Sequence, residues 1–355
     1  MIRSRNLPSV CLLGLLVCGV SFASIRMAGL GPNLVDIVAD PMTDPLSYPQ
    51  SNTLEENWLV GVEVLQGDRY NLLARTPGRL SITGAMHASL KDANCDPSLA
   101  IGWNAGPVAL GVSATAWAIG EQHPYGDDVS GDTSVHLLGY DYGLGEGTIG
   151  CRWSSPGLVL DGNAGLLLAR GYWMRGTLDS FVLCGDSRST VVSPVLRLTL
   201  PRDMVTWRVL ASYTHTMLRE DFYDTLNGLL FQRRETRHQL GLTGGLVFTP
   251  RPNFVVTAGL RCHVLPAAHN WSWNLLSPAG FEWNSGPLTL RIGAEASVGF
   301  WTSELRHGAV TTYFHNTTYF GLGVRPLPRL SFDFTPCMED IANLRGWELG
   351  ATATF

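Results

Sequence analysis

Charge is scarce in this sequence. Asp, Glu, Lys and Arg together make up 15% of its 355 residues, against roughly 25% in an average soluble domain. A chain this long with so few charges keeps much of its surface out of water. It also lacks the roughly 18 consecutive apolar residues of a membrane-crossing helix, so such a surface is not built from helices. The Lys and Arg residues are scattered and the formal net charge is −5. That leaves no basic stripe and excludes a nucleic-acid partner. Seven cysteines are present, two of them in the first 18 residues. The remaining five (Cys95, Cys151, Cys184, Cys262 and Cys337) form no CxxC pair and no zinc-like spacing with His. No metal or other cofactor site follows from them. Enzyme chemistry is equally thin: no G-x-S-x-G nucleophile elbow occurs, and His87, His215, His238, His263 and His315 have no suitably placed Ser and acid. The chain reads as a non-enzyme.

What is abundant is Gly (39 residues) and Trp (11), together with a strict alternation of apolar and polar residues. "PLTLRIGAEASVGF" places Leu288, Leu290, Ile292, Ala294, Ala296, Val298 and Phe300 on one face. Thr289, Arg291, Gly293, Glu295 and Ser297 fall on the other. A period of two is a β-strand with one apolar and one polar face, and its length meets the 9–11 residues needed to cross a bilayer at a tilt. "FVVTAGLRCHV", "MVTWRVLASYT", "PVALGVSATAWA" and "LVLDGNAGLLL" repeat the pattern. A soluble sandwich would be overfilled by a dozen such strands around one core.

Turn residues order the strands. Tight Pro/Gly/Asn clusters occur at 76–78, 104–107, 154–157, 201–203, 249–253, 284–287 and 325–328, with longer polar segments between them. Short connections alternating with long ones are expected of an antiparallel up-and-down transmembrane β-barrel. Seven tight turns, each joining two strands, plus a first and a last strand predict about 14–16 strands. The first hairpin, near Gln66-Gly67-Asp68, has short arms, and residues 134–153 read as either one long strand or two. Cys95, Cys184 and Cys337 are expected in the long loops, Cys151 and Cys262 in strands. Trp58, Trp103, Trp153, Phe248, Phe254 and Phe334 lie near strand ends, as an interfacial girdle requires.

Three segments follow. Residues 1–23 read as a secretory signal: Arg3 and Arg5 precede an apolar core, Val10 to Val20, and Ser21-Phe22-Ala23 offers a cleavage site. Residues 24–56 are a periplasmic or plug segment, and residues 57–355 the barrel. On the polar face the alternation places Arg197, Arg208, Arg237, Arg261 and Arg291 toward the lumen, with Asp161, Glu295, Asp333, Glu348 and Glu63 on the same face. These charges either line an open or gated pore or pair within a filled lumen.

The closing strand, "WELGATATF", alternates Trp347, Leu349, Ala351, Ala353 and Phe355. It resembles the C-terminal signature strand of bacterial outer-membrane β-barrel proteins. That resemblance implies residence in the bacterial outer membrane, lipid contact, and recognition of Trp347, Leu349 and Phe355 by the barrel-assembly machinery. "RMAGLGPNLVDIVADPMTDPLSYPQSN" is loosely similar to the segment before the first strand of long-chain fatty-acid transporter (FadL-like) barrels. Tyr48-Pro49-Gln50 here replaces their Asn-Pro-Ala. This second resemblance implies a porin-like or transporter-like channel for small or hydrophobic, lipid-like solutes. The alternative is a non-transporting structural or docking barrel that acts through its extracellular loops.

Overall fold

A computed structural model describes residues 25–355 apart from 31, 35, 41, 43, 55–56, 66–68, 90–93, 117–120, 130–133, 178–179, 225–227, 267–270, 304–308 and 341–342. The expected leader and the tip of the first hairpin lie outside the described residues.

The strands are β1 (Leu59–Leu65), β2 (Arg69–Arg75), β3 (Leu80–Ser89), β4 (Asn94–Ala105), β5 (Val108–Thr115), β6 (Glu121–Val129), β7 (Ser134–Ser155), β8 (Leu158–Thr177) and β9 (Ser180–Arg202). They continue as β10 (Val205–Asp224), β11 (Gly228–Arg251), β12 (Phe254–Pro266), β13 (Trp271–Ser285), β14 (Leu288–Ser303), β15 (Ala309–Leu327), β16 (Leu330–Asp340) and β17 (Asn343–Thr354). Every pairing is antiparallel and joins sequence neighbours, except that β5 pairs with the lower half of β7, whose upper half pairs with β6, and that β1 pairs with β17. The strand β1 pairs with both β2 and β17, which closes the sheet. The result is a closed sixteen-strand barrel, with β5 and β6 stacked end to end as one stave. Residues 134–153 belong to a single strand.

All seven tight turns expected from Pro, Gly and Asn join consecutive strands at one end of the barrel. Gly106 illustrates the chemistry: its φ of 81° suits a residue without Cβ, and its N–H donates to Asn104 Oδ1 at 2.9 Å. The other end differs from expectation. Strands such as β9 and β11 run 23 and 24 residues, so the long connections are mostly continued ladder. For the same reason Cys95, Cys184 and Cys337 fall within β4, β9 and β16 rather than in loops. Alternating polar sequence beyond the membrane still pairs, and apolar periodicity is blind to it. Cys151 and Cys262 lie in β7 and β12; Cys95, Cys151 and Cys262 are free thiols.

Ahead of β1, residues 25–54 form short helical pieces: α1 (Ile25–Leu30), a turn at Pro32–Leu34, α2 (Asp44–Ser47) and a turn at Pro49–Leu54. In α2, Pro45 sits in the first turn, where its missing N–H costs nothing. This segment crosses the barrel interior, because it touches inward side chains on strands all around the ring. Met27, Leu30, Leu34, Ile37 and Val38 form one buried apolar cluster. Met42 and Leu46 join Leu59, Leu73, Ala85 and Ala100 of β1 to β4 in a second.

Candidate functional site: the barrel interior and its wall

Alternation decides which side chains look outward. Trp58, Trp103, Trp153, Trp207, Trp283 and Phe355 are exposed near the tight-turn end. Above them the outward rows are apolar and bare: Ile149 is 64% exposed and Phe314 70%. No water-soluble protein leaves such a continuous belt uncovered. Among the described residues no helix is long and apolar enough to cross a membrane; the strands do the crossing. The chain is a transmembrane β-barrel.

Inside, the wall is cut to admit the N-terminal segment. A Cβ on Gly245 would lie 2.6 Å from Ile37 Cδ1. One on Gly111 would fall on the backbone of Pro49 and Gln50, with Gln50 Cα at 2.8 Å. The segment is also held by polar contacts. Ser113 Oγ donates to the Leu46 carbonyl (2.9 Å), and Asn163 Nδ2 donates to the Ser47 carbonyl (2.8 Å). Gln50 Nε2 donates to Asn163 Oδ1 (2.8 Å) and Asp161 Oδ1 (3.3 Å). On the opposite wall, Arg26 Nε donates to Glu282 (3.1 Å) and Asn33 Nδ2 to Glu295 (2.6 Å).

The charges predicted on the polar face meet in local clusters. Asp161 is buried and accepts from Arg152 (2.6 and 3.2 Å) and from Arg197 (3.1 Å). The guanidinium carbon of Arg197 also lies 3.5 Å from the centre of the Tyr48 ring, a cation–π contact made in a dry site. Arg291 bridges Glu282 (2.7 Å) and Asp333. Arg261 donates to Asn33 (3.1 Å) and pairs with Asp36. Glu63 accepts from Asn71 Nδ2 (3.0 Å), and Arg237 pairs with Glu235. Arg208 is partly buried near Arg197 and Asp44, and its Nε and Nη1 have no hydrogen-bond partner among the described residues. Glu348 sits on β17 opposite Thr335 and Leu65, two residues from Gly350, which pairs with Glu63. Arg152 and Glu282 escaped the sequence reading, although the same alternation reaches both: Cys151 and Trp153 flank Arg152, and Phe281 and Trp283 flank Glu282.

Burial pushes the Asp44 carboxyl up to about 6, against the pull of Arg197 and Arg208 and with Asp40 adding to the rise. Burial likewise pushes the Tyr48 phenol upward. A cavity of about 510 Å³ lies between the segment and the tight-turn end, bordered by Asp44, Arg75, Arg152, Arg197, Arg208 and Arg329.

The ladder changes partner where β5 gives way to β6. Pairing of β5 with β7 stops at Thr115 opposite Glu146, and β6 resumes only at Glu121 opposite Asp141. Between Asp141 and Glu146 no described residue pairs with β7 on that side. A cavity of about 540 Å³ opens there. Its lining carries the outward residues Leu99, Ala114, Leu166 and Leu168 together with Ser98 and Thr115. Seven positions up β5 from Val108, at ~3.3 Å each and 35–45° of tilt, is about 18 Å of height, inside the roughly 25 Å apolar band.

No family model and no curated protein matches the chain. Solved structures similar to it include a Pseudomonas aeruginosa FadL homologue, with 11% identity, 94% of this chain and 98% of that chain covered, and a TM-score of 0.48. The Pseudomonas putida toluene transporter TodX is 11% identical over 92% of this chain and 95% of its own, with a TM-score of 0.45. The copper transporter OprC is 10% identical over 79% of this chain, with a TM-score of 0.43, and the chain spans 60% of OprC's length. At such identities and overlaps, the architecture rests on the ladder itself.

Proposed function

We propose that this barrel is a transporter for small hydrophobic solutes, with residues 25–54 as a plug that blocks the axial path. The reading is supported by the end of the β5–β7 ladder at Thr115 opposite Glu146, at lipid depth, beside an apolar-edged cavity of about 540 Å³. An apolar solute gains ~25 cal/mol per Å² on leaving water. A side exit into the bilayer therefore suits it, and a polar solute would gain nothing there.

The test is uptake by cells with and without the protein, using the apolar dye N-phenyl-1-naphthylamine and the sugar arabinose. Wild-type barrel is expected to speed dye entry and leave arabinose flux unchanged. Ala114→Trp, which fills the opening from its outer side, is expected to cut dye entry at least fivefold. Dye entry unaffected by Ala114→Trp would overturn the lateral route. No flux of any solute would favour the non-transporting barrel instead.

A further inference from the structure

The outer surface carries one strongly charged feature that the transport reading does not use. On four adjacent strands the register aligns Arg170 of β8, Arg188 of β9, Arg219 of β10 and Arg234 of β11 in a single row. They continue the outward faces of Leu168, Val192, Met217 and Leu240, so the row faces away from the lumen. Arg170, Arg188 and Arg219 keep 48%, 57% and 48% of their side-chain surface exposed.

The row is organised by two carboxylates on its far side. Asp186 and Asp221, themselves buried, face each other one step farther from the tight turns. Asp186 accepts two bonds from Arg170 (Nε 3.0 Å, Nη2 2.8 Å) and one from Arg188 (3.2 Å). Asp221 accepts from Arg219 (Nε 3.2 Å) and from Gln232, whose Oε1 takes Arg234 Nε at 3.2 Å. Four guanidiniums over two carboxylates leave a positive patch. Each guanidinium holds five N–H donors in a planar fork that matches phosphate oxygens.

Height fixes what the patch meets. Arg170 is twelve positions along β8 from Leu158, which is about 40 Å of strand and about 30 Å of rise at the usual tilt. That is just beyond the apolar band, on the side away from the tight turns, at the depth of the outer-leaflet headgroups. The row through Leu275, Val298 and Phe314 on β13–β15, ten positions up β14, is still apolar.

We infer that this arginine row is a docking site for the phosphate groups of the outer leaflet's phosphorylated glycolipid. A row spanning four strands matches a headgroup with two phosphates better than a single anion, and the apolar staves directly below it offer a surface for the acyl chains.

The test uses the full barrel, purified and exchanged into detergent, then incubated with bisphosphorylated lipid A or its dephosphorylated form. Native mass spectrometry reads the lipid retained. Wild-type protein is expected to keep at least one bisphosphorylated lipid, and to keep the dephosphorylated form at least tenfold less. Equal retention of both would overturn the proposal without any variant being needed. The combined variant R170Q/R188Q/R219Q/R234Q/D186N/D221N, which removes both charge signs together, is expected to lose the discrimination while keeping heat-modifiable gel mobility. A folded variant that still discriminates would also overturn it. Inorganic phosphate at 10-fold excess over lipid is expected to displace little; full displacement would mean a free-anion site and refute the lipid assignment.

Discussion

Gly111→Ala isolates the fit between plug and wall in one methyl group. The added Cβ would fall on the Pro49–Gln50 backbone, with Gln50 Cα at 2.8 Å. Carbon atoms settle at about 3.5–4.0 Å, so the segment must retreat by about 1 Å. Backbone cannot rotate out of the way as a side-chain end would. A retreat of that size breaks both Gln50 hydrogen bonds, to Asn163 at 2.8 Å and Asp161 at 3.3 Å, and loosens the Tyr48–Arg197 contact. One neutral hydrogen bond at ~1 kcal/mol, one to a charged acceptor at ~1.5 and a partial cation–π loss at ~1 sum to about 3–4 kcal/mol. At 1.4 kcal/mol per tenfold, the displaced state gains roughly 10²- to 10³-fold in population. Single-channel recording in planar bilayers measures it: wild type is expected to be nearly silent, and Gly111→Ala to show frequent openings. Gly84, with nothing within 4 Å of its would-be Cβ, supplies the control; Gly84→Ala should behave as wild type. A silent Gly111→Ala barrel, with the segment still shielded from protease, would refute the claim that the segment closes the axial path.

Three further outcomes follow from the same contacts. Asp161→Asn strands two buried guanidiniums, so it should lower stability to denaturant in detergent micelles by about 3–5 kcal/mol; a loss under 1 kcal/mol would mean the cluster is solvated. The raised Asp44 carboxyl binds its proton more tightly when the segment is docked than when it is released, so docking is strongest below about pH 4 and weakens as pH rises through about 6. The span from 3.8 to about 6 amounts to about 3 kcal/mol before screening; opening frequency should therefore rise between pH 4 and 6.5, and Asp44→Asn should flatten that rise. Phe355 and Trp58 exchange backbone hydrogen bonds at 3.0 and 3.1 Å across the closing seam. Deleting Phe355 should reduce the amount of heat-modifiable barrel in outer-membrane fractions, and unchanged levels would dismiss Phe355 as an assembly determinant.

The sequence made the staves and turns legible because each is a local matter. Outward Leu, Val and Trp must alternate with inward polar residues wherever lipid lies on one side, and each tight turn needs its Gly, Pro or Asn on the spot. The stacking of β5 and β6 on β7 was ambiguous for the opposite reason. A break in a stave is defined by the partner it fails to pair with, and residues 108–129 read alone look like one strand and a loop. The interior was legible by face but not by partner. Alternation puts Arg197, Arg291 and Asp161 on the inward face, yet whether they face one another across water or meet in clusters depends on how far around the ring their strands lie. Asp161 and Arg197 sit directly opposite on neighbouring strands, a relation that appears only once the register is known. The plug left a fainter mark. Gly111, Gly150, Gly245 and Gly259 occupy inward positions where a barrel open to water would have no use for missing side chains. In a single sequence, glycine on the polar face looks like ordinary strand dilution. What distinguishes it is that these glycines form two paired sets on separate parts of the wall, Gly111 and Gly150 against Pro49–Gln50, and Gly245 and Gly259 against Ile37. A Cβ at Gly111 or Gly245 would press on the segment and leave the strand ladder intact, so substitutions such as Gly111→Ala should act on the docked state of the segment rather than on the barrel itself.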